Sequence, residues 1–305
     1  MLNLKKNIIS TLAYFDMFDY PLSYNEIFLF LECKCEETDL RKTINYLVSC
    51  KLIYQIGKFY SLKNDHFIIT RRNKGNQKAL ELLEKAKAVG QLLIKFPYVR
   101  GIGISGSLSK NFADENSDID LFIITKKNRL WIARTLMHLF KKLTFLVNKQ
   151  HYYCMNYYID EEQLEIVEKN IYTAIEVVTL IPLQGDGAFA SFYSANAWTK
   201  DYLPNKVMRI SSAKPSKRHI LKSCVEFLCN NAVGSWIEKR LMKITAKRWN
   251  KKTQLRKLNS RGTIMGMAAD QHFAKPDPKN FQIKLIEKYQ SKLVPLLAIH
   301  EIKVG

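Results

Sequence analysis

Acidic residues are scarce in this chain of 305 residues. It carries 28 Asp and Glu against 48 Lys and Arg, which gives a formal net charge of +20 at pH 7. A positive surplus of this size favours polyanionic partners such as nucleic acid, nucleotides or an anionic membrane surface. A Lys-rich composition also arises without any such partner, so the charge alone assigns no function.

Long uncharged apolar runs are also absent. Lys222 and Glu226 interrupt the most apolar stretch, HILKSCVEFLCNNAVGSWI, so it does not predict a membrane span. Residues 1–10, MLNLKKNIIS, lack the small-residue cleavage site of a secretory signal. Because hydrophobic residues make up 47% of the chain, the sequence predicts a globular, cytoplasmic protein.

Several familiar site patterns are missing too. The six cysteines have no zinc-site spacing, and we expect them to be reduced thiols. The sequence has no Ser-His-Asp set, no H-E-x-x-H, no G-x-S-x-G and no phosphate-binding G-x-x-x-x-G-K-S. The run GIGISGS lacks the G-x-G-x-x-G order of a dinucleotide site. Zinc, dinucleotide and common hydrolase chemistry are therefore not indicated.

Residues 1–64 have the pattern of a small separate unit. Apolar residues at helical spacing predict a first helix, Ser23 and Glu26 form the capping box of a second, and Thr38 is placed to cap a third. Two alternating apolar runs then meet at Gly57, which is typical of a hairpin. Three helices followed by a hairpin predict a winged-helix-like domain.

A winged helix that binds DNA presents its third helix and its hairpin to the nucleic acid. In this chain Arg41 and Lys42 lie on the predicted third helix, and Lys58 and Lys63 lie on or beside the hairpin. DNA is therefore one candidate partner of this domain. The alternative is a domain that docks a protein or presents a substrate.

Residues 65–160 predict a small α/β domain. A long helix over residues 66–96 comes first, and Pro97 ends it. A strand, a polar loop, a second strand, a helix and an aromatic third strand, HYYCMNYYI, follow in that order.

Residues 161–305 predict a helical C-terminal domain, which makes the whole chain α+β. Pro182 is expected to end the first of its helices, and GMAADQHFAKPDPKN is expected to be an irregular polar loop. Residues 216–258 predict one broken helix or a pair, with fourteen Lys or Arg over residues 214–261. Its apolar positions are expected to face a core, and they are Ile220, Cys224, Phe227, Ile237, Leu241 and Ile244. The cationic face is either a solvated surface or a groove for nucleic acid or a triphosphate tail.

The chemistry is concentrated in YVRGIGISGSLSKNFADENSDIDLFIITK, residues 98–126. Asp118 and Asp120 are two apart on a strand, so their side chains share one face, while Ile119 and Leu121 point into the core. Two adjacent carboxylates repel each other unless a cation lies between them. Because hard divalent cations take oxygen ligands, the pair predicts a metal site.

A possible phosphate cradle precedes the two acids. Gly106 and Ser107 end the first strand and begin a helix-like turn, and ten residues then lead to Asp118. Glycine lets the backbone approach a phosphate closely, and the serine hydroxyl and nearby amides can donate to its oxygens. The turn and the acids together are suited to phosphoryl transfer, which depends on positioning and charge neutralisation.

This arrangement resembles the signature of the nucleotidyltransferase superfamily, which has the polymerase-β-like fold. The resemblance covers residues 97–160 and implies transfer of a nucleoside monophosphate from a triphosphate, with ATP as first choice, to an unknown acceptor hydroxyl. It implies that Gly106 and Ser107 hold the β- and γ-phosphates. It also implies that Asp118 and Asp120 hold two Mg²⁺ ions, with Mn²⁺ as the alternative metal.

The sequence departs from that family where active members carry a third carboxylate. The third strand has Asn156 at a central position, and an asparagine can coordinate a metal but cannot accept a proton at neutral pH. The nearby acids are Asp160, Glu162, Glu165 and Glu176. Two hypotheses stay open: an Mg²⁺-dependent enzyme, or a regulator that binds a nucleoside triphosphate and contacts DNA through the winged helix.

Further polar residues are weaker candidates for the site. Ser109 and Lys110 directly follow the Gly-Ser turn, and Ser117 directly precedes the acidic pair, so each could contact phosphate or orient the metal loop. His272 and Lys275, in the segment expected to be an irregular loop, could reach the site from the C-terminal region.

Overall fold

The computed structural model describes residues 2–147, 150–206, 219–255, 267–276 and 278–302. No helix within that part of the chain combines the length and the apolar character needed to cross a membrane.

The first unit contains the three helices and the hairpin that the sequence predicts. The elements are α1 Leu2–Asp16, β1 Leu22–Ser23, α2 Tyr24–Phe30, α3 Glu37–Ser49, β2 Tyr54–Ile56 and β3 Phe59–Ser61. The short β1 adds a third strand to the hairpin, in the order β1-β3-β2. The description of residues 1–64 as a winged-helix-like domain stays a prediction.

Local capping explains two of the helix starts. The Ser23 capping box is present, because the Ser23 hydroxyl accepts from the Glu26 amide and the Glu26 carboxylate accepts from the Ser23 amide at 2.8 Å. The predicted cap at Thr38 is wrong: α3 begins at Glu37, one residue earlier, and its N-cap Glu36 makes no side-chain capping bond.

The central elements follow the predicted order. They are α4 His66–Leu93, β4 Val99–Ile104, α5 Gly106–Ser109, β5 Asp120–Thr125, α6 Leu130–Thr144 and β6 Cys154–Asp160. Two short 3-10 turns, Phe145–Val147 and Gln150–Tyr153, connect α6 to β6. Strands β5 and β6 are parallel, so α6 is the crossover helix that such a pair requires.

The prediction that the chain past residue 160 is helical is wrong in part, because the residues that the structure describes there include three strands. The elements are α7 Ile171–Thr179, β7 Ile181–Gln184, α8 Asp186–Ala195, α9 Thr199–Tyr202, α10 Ile220–Leu228, α11 Ala232–Gln254, β8 Met267–Ala269, β9 Phe273–Pro276 and α12 Pro278–Ile302. The segment expected to be an irregular loop forms the β8–β9 hairpin. Pro182, expected only to end a helix, lies inside β7.

The additional strands extend both sides of the central sheet, whose order is β7-β4-β5-β6-β9-β8. Strand β7 pairs with β4, and β9 pairs with β6, so neither β4 nor β6 presents an unpaired edge. Pro182 is compatible with β7 because an edge strand tolerates the missing amide proton.

Helices cover both faces of the central sheet. Buried residues of α4 and α6 pack on one face with Ile119 and Leu121, as predicted for these two residues, and α8 packs on the other with Phe122 and Ile124. The core of the N-terminal unit continues into α7 and α12, where it includes Ala174, Ile175 and Tyr289. The proposed domain boundaries at residues 64 and 160 stay predictions.

The face of helix α10 that the sequence predicts to be buried is exposed in the structure. Ile220 is 83% exposed and Phe227 84% exposed, and Cys224 is also exposed. The side chain that points inward is Lys222, whose ammonium donates to the carbonyls of Ile94 and Val99 at 2.9 and 2.6 Å. Burial lowers the pKa of Lys222 to about 8. These carbonyls lie just past the end of α4 and at the start of β4, so satisfying them outweighs burying an apolar face.

Glu226 fixes the same helix from the next turn. Its carboxylate forms a two-point ion pair with Arg100 at 2.7 and 2.9 Å and accepts from the Tyr98 amide at 2.7 Å. Although burial alone raises the pKa of Glu226, the bonds from Arg100 and the Tyr98 amide bring it below its ordinary value.

Helix α11 is fixed by the second glutamate of this basic region. Glu238 accepts from the amides of Trp131 and Ile132 at 2.7 and 2.9 Å, at the start of α6. The α6 N-cap makes no side-chain capping bond of its own, so Glu238 supplies the cap from another helix. Ile237 and Leu241 pack against the core as predicted, whereas Ile244 is 46% exposed.

Candidate active site

The turn after β4 brings the backbone against an acidic side chain. Gly106 has a φ of +68°, and a Cβ on this residue would lie 2.5 Å from Oδ2 of Asp120. The position therefore requires glycine for two reasons. Its backbone is left-handed, and the Asp120 carboxylate occupies the space that a Cβ would need. The Ser105 amide donates to the Asp120 carbonyl at 2.9 Å and holds the turn beside β5.

The two aspartates lie where β5 begins. Asp120 is its first residue, and Asp118 precedes it. Both line one cavity together with Gly106, Ser107 and Lys110. The structure thus brings the predicted phosphate turn and the predicted metal pair to a single place.

His151 is a neighbour of the pair that the sequence did not indicate. Its Nδ1 lies 3.2 Å from Oδ1 of Asp118, and its carbonyl accepts from the Ile119 amide at 3.1 Å. His151 lies in the 3-10 turn Gln150–Tyr153, and no local pattern connects this turn with the aspartates.

Asn156 lies beside Asp120 because of a bulge in β6. Leu121 pairs with Met155 and Phe122 pairs with Tyr157, so Asn156 is the extra residue between them. Its Nδ2 donates to Oδ1 of Asp120 at 2.5 Å. Among the residues that the structure describes, no group of three His, Cys, Asp or Glu is arranged to hold a metal ion.

Of the four acids that the sequence offered near the third strand, only Glu176 lines this cavity. Its carboxylate accepts from the Lys110 ammonium at 2.7 Å, and that ammonium also donates to the Gly106 carbonyl at 3.1 Å. Asp160 is fully buried at the far end of β6, where it accepts from the Asn128 amide at 2.8 Å. Glu162 lies two residues after Asp160, past the same end of β6, and does not line the cavity.

Glu165 is not near the aspartates either. It forms an exposed ion pair with Lys169 at 2.5 Å.

The two predicted serines beside the motif have different surroundings. The Ser109 side chain is buried and donates to the Gly106 carbonyl at 2.8 Å, so it supports the turn and does not line the cavity. Ser117 lines the cavity, and its hydroxyl donates to Oδ1 of Asp114 at 2.9 Å. Of these two serines only Ser117 lies at the cavity, and its contact with a phosphate stays a prediction.

The two C-terminal candidates do not reach the cavity. His272 is 3.1 Å from the buried Asp160, and Lys275 pairs with Glu168 at 2.5 Å. Both lie at or beside β9, at the end of β6 opposite to Asn156. They act as structural partners of β6 and of the segment that follows it.

The cavity has a volume of about 640 Å³ and is closed on one side by the N-terminal unit. Residues 14–20, at the end of α1 and after it, supply mostly aromatic side chains to this wall. The Tyr20 hydroxyl donates to the Lys110 carbonyl, which connects the wall to the phosphate turn. Because the sequence predicts residues 1–64 as a separate unit, it did not indicate this wall.

Arg71 is a further cation at the cavity. Its guanidinium lies 4.5 Å from the centroid of the Phe112 ring and donates to the carbonyls of Phe18 and Asp19 at 3.1 and 3.2 Å. The planar group is thereby held in one orientation by a ring and two carbonyls.

The cavity is electronegative around the aspartates. Burial, followed by the charges of Glu176 and Asp120, raises the pKa of Tyr172 well above its ordinary value. Burial and then the Asp120 charge raise the pKa of the Cys154 thiol to about 11. Both side chains therefore stay protonated at neutral pH, and the carboxylates favour a cation in their neighbourhood.

Comparison with known families matches residues 65–180 to the family described as nucleotidyltransferase domain. The match covers the turn at Gly106, both aspartates, Asn156 and Glu176, and it extends past the predicted boundary at residue 160 to the end of α7. Comparison with curated proteins and with solved structures found no match. Residues 65–180 of this chain are therefore a nucleotidyltransferase domain of the polymerase-β-like superfamily.

Proposed function

We propose that this protein transfers a nucleoside monophosphate from a nucleoside triphosphate, with ATP as first choice, to an acceptor hydroxyl. The observation that carries the proposal is the convergence of the Gly106–Ser107 turn with Asp118 and Asp120 in one cavity of a nucleotidyltransferase domain. The acceptor oxygen forms a bond to the α-phosphorus, the bond to the β-phosphate oxygen breaks, and pyrophosphate leaves.

The donor groups around Asp120 fit Mg²⁺, or Mn²⁺ as the alternative. The carboxylates of Asp118 and Asp120 supply the oxygen ligands that these cations prefer. Asn156 is the third candidate, and it offers its oxygen only when its amide turns, because Nδ2 is the atom that faces Asp120. When bound, the metal neutralises phosphate charge and lowers the pKa of the acceptor hydroxyl.

The remaining roles belong to residues that line the cavity. Gly106 lets the backbone come close to the phosphates, and Ser107, which is exposed, donates its hydroxyl to a phosphate oxygen. Arg71 adds positive charge from the α4 side. Glu176 takes the proton of the acceptor hydroxyl, because Asn156 cannot accept one.

A direct experiment tests this activity. The protein is incubated with each labelled nucleoside triphosphate, Mg²⁺ and a cell extract, and labelled products are separated. We expect a labelled product that disappears in the Asp118→Asn, Asp120→Asn double variant. If wild type gives no product and the double variant is indistinguishable in every property, the proposal fails.

A second candidate function is a regulator that binds a triphosphate without efficient catalysis. The observation that favours it is Asn156 at the position of the third carboxylate, hydrogen-bonded to Asp120. In this hypothesis the N-terminal unit contacts DNA through Arg41, Lys42 and Lys58, which are exposed. Lys63 is a weaker candidate because it pairs with Asp16 and Asp19.

DNA affinity distinguishes the regulator from the enzyme. Because residues 14–20 line the nucleotide cavity, the regulator hypothesis predicts that a triphosphate changes the affinity of the N-terminal unit for DNA. Binding that falls steeply with salt and changes with added triphosphate supports it. Absent or salt-insensitive binding contradicts it.

A further inference from the structure

A second cavity, of about 450 Å³, lies between α6 and α11. Five of the side chains that line it are cationic, and within the described residues none of its lining side chains is acidic. The cations are Arg134, Lys142, Arg248, Lys251 and Lys252. We call this cavity the α6–α11 pocket. It shares no lining residue with the nucleotide cavity.

Arg134 distinguishes the pocket from an ordinary solvated basic surface, since it is only 9% exposed. Its guanidinium lies 4.5 Å from the centroid of the Trp249 ring, and none of the ion pairs in the described residues includes it. Burial lowers the pKa of Arg134 below its ordinary value. A buried cation without an anionic partner is unfavourable, by several kcal/mol in general, so its retention requires an explanation.

The four other cations that are buried among the described residues do have partners. Arg72 pairs with Glu26 at 2.7 Å, and Lys275 pairs with Glu168 at 2.5 Å. Lys222 donates to two carbonyls. Arg129 lines another cavity, and its guanidinium donates to the Asn128 carbonyl at 2.7 Å and to the Ser235 hydroxyl at 3.3 Å, although its Nε has no partner among the described residues. Arg134 differs from these four cations because, among the described residues, neither an ion pair nor a hydrogen bond satisfies its guanidinium at the pocket.

His138, one helical turn after Arg134, is a second polar group without a partner at the same cavity. Its Nε2 atom is buried, and no hydrogen-bond partner lies within reach among the described residues. Burial, followed by the charges of Arg134, Lys141 and Lys142, lowers the pKa of His138 to about 3. The imidazole is therefore neutral at pH 7 and can donate one N–H to a ligand.

We propose that the α6–α11 pocket binds phosphate groups. Arg134 and Arg248 offer planar guanidinium groups that suit two phosphate oxygens at once, and the lysines add positive charge at the opening. The phosphates belong either to a small polyphosphorylated molecule or to the backbone of a nucleic acid. This site is separate from the proposed nucleotidyl transfer, and it gives the basic helices a function that does not depend on the transfer.

The test uses substitutions of exposed residues, so that folding is preserved. Arg248→Glu with Lys252→Glu reverses two charges that line the pocket. Lys243→Glu with Lys247→Glu reverses two exposed charges of the same helix that do not line it, and changes the net charge equally. Binding of inorganic tripolyphosphate is measured by titration calorimetry in EDTA, which removes any metal-dependent contribution.

We expect wild type and the Lys243/Lys247 variant to bind tripolyphosphate, and the Arg248/Lys252 variant to bind at least about tenfold more weakly. The imidazole resonances of His138 should shift on binding in wild type. Asp120→Asn should bind as wild type does, even if it abolishes nucleotide transfer. Equal loss in both double variants, or no shift at His138, would contradict the proposal.

A second titration separates the two sources of phosphate. A single-stranded oligonucleotide that binds more tightly than tripolyphosphate, with the same dependence on Arg248 and Lys252, identifies a nucleic-acid backbone. Tighter binding of tripolyphosphate identifies a small polyphosphorylated ligand. If neither probe binds, the pocket is not a phosphate site and the proposal is wrong.

Discussion

The side-chain amide of Asn156 donates a hydrogen bond to the carboxylate of Asp120, with 2.5 Å between Nδ2 and Oδ1. The bulge in β6 creates this contact by pointing the extra residue toward β5. A third carboxylate at this position would repel Asp120 in the absence of a cation, whereas the amide stabilises it. The metal-free site therefore carries less negative charge than a site with three acids.

The first prediction follows from this contact and concerns Asn156→Asp. Without metal, the variant should be about 1–2 kcal/mol less stable than wild type, because a hydrogen bond is replaced by a like-charge contact. With Mg²⁺, its melting temperature should rise more than that of wild type. Thermal unfolding across a Mg²⁺ titration measures both effects.

Asn156→Ala is the matched control, since it removes the hydrogen bond without adding charge. It should lose stability but gain no additional response to Mg²⁺. If Asn156→Asp responds to Mg²⁺ as wild type does, Asn156 does not occupy a ligand position.

A second prediction concerns the turn. Gly106→Ala places a Cβ 2.5 Å from Oδ2 of Asp120 in a residue with a φ of +68°, so the carboxylate or the turn must move. We expect nucleotide binding or transfer to fall by about a hundredfold, since small displacements at such sites are costly.

Gly57→Ala provides the control because Gly57 has a φ of +60°, but no atom of the described residues lies within 4 Å of a Cβ added there. It should show the backbone strain alone, about 1 kcal/mol of lost stability, with unchanged nucleotide binding. If the two variants bind nucleotide equally well, the close approach at Gly106 has no functional role.

The convergence of the Gly106 turn with the two aspartates could be predicted because these residues are close in sequence. Gly106, Ser107, Asp118 and Asp120 all lie between residues 106 and 120. Strand periodicity alone places the two acids on one face. His151 and Arg71 could not be predicted, because they reach the site from elements far away in sequence. Packing between elements that are distant in sequence leaves no periodic pattern in the local sequence of either element.

In the C-terminal half, the observed elements differ from the predicted ones for a related reason. Short strands such as β7 and β9 have too few residues to establish an alternating pattern, and they pair with strands that lie much earlier in the chain, β4 and β6. Helix α10 was oriented wrongly because Ile220 and Phe227 have helical spacing. The buried carbonyls that bind Lys222 are not visible in the sequence.

A third prediction tests how α11 is attached. Glu238→Ala leaves the amides of Trp131 and Ile132 without their acceptor inside the protein. We expect the free energy of unfolding to fall by about 2–3 kcal/mol, as for the loss of a buried cap. Chemical denaturation measures it.

Lys239→Ala, at an exposed neighbouring position, should change stability by less than about 0.5 kcal/mol. An equally small effect of Glu238→Ala would show that the cap on α6 contributes little.

A fourth prediction concerns acid stability. The pKa of His138 is about 3 in the folded protein, below the unfolded value, so the folded state binds fewer protons between these two values. Stability is therefore lost as the pH falls from about 6.5 toward 3. From this residue alone, we expect about 2 kcal/mol less stability at pH 5 than at pH 8.

His138→Gln should lack this part of the pH dependence, and the difference between the two unfolding curves isolates it. Parallel curves for variant and wild type would show that His138 titrates normally.

In the proposed function, Asp118 and Asp120 form a metal-dependent nucleotide site with the Gly106 turn. The most direct test is titration calorimetry of each nucleoside triphosphate into wild type and into the Asp118→Asn, Asp120→Asn variant, with Mg²⁺ and with EDTA. We predict saturable binding of at least one triphosphate to wild type in Mg²⁺, weakened at least about tenfold by EDTA and by the double substitution. Equal affinity in all four conditions would show that the two aspartates and a metal ion do not bind the nucleotide.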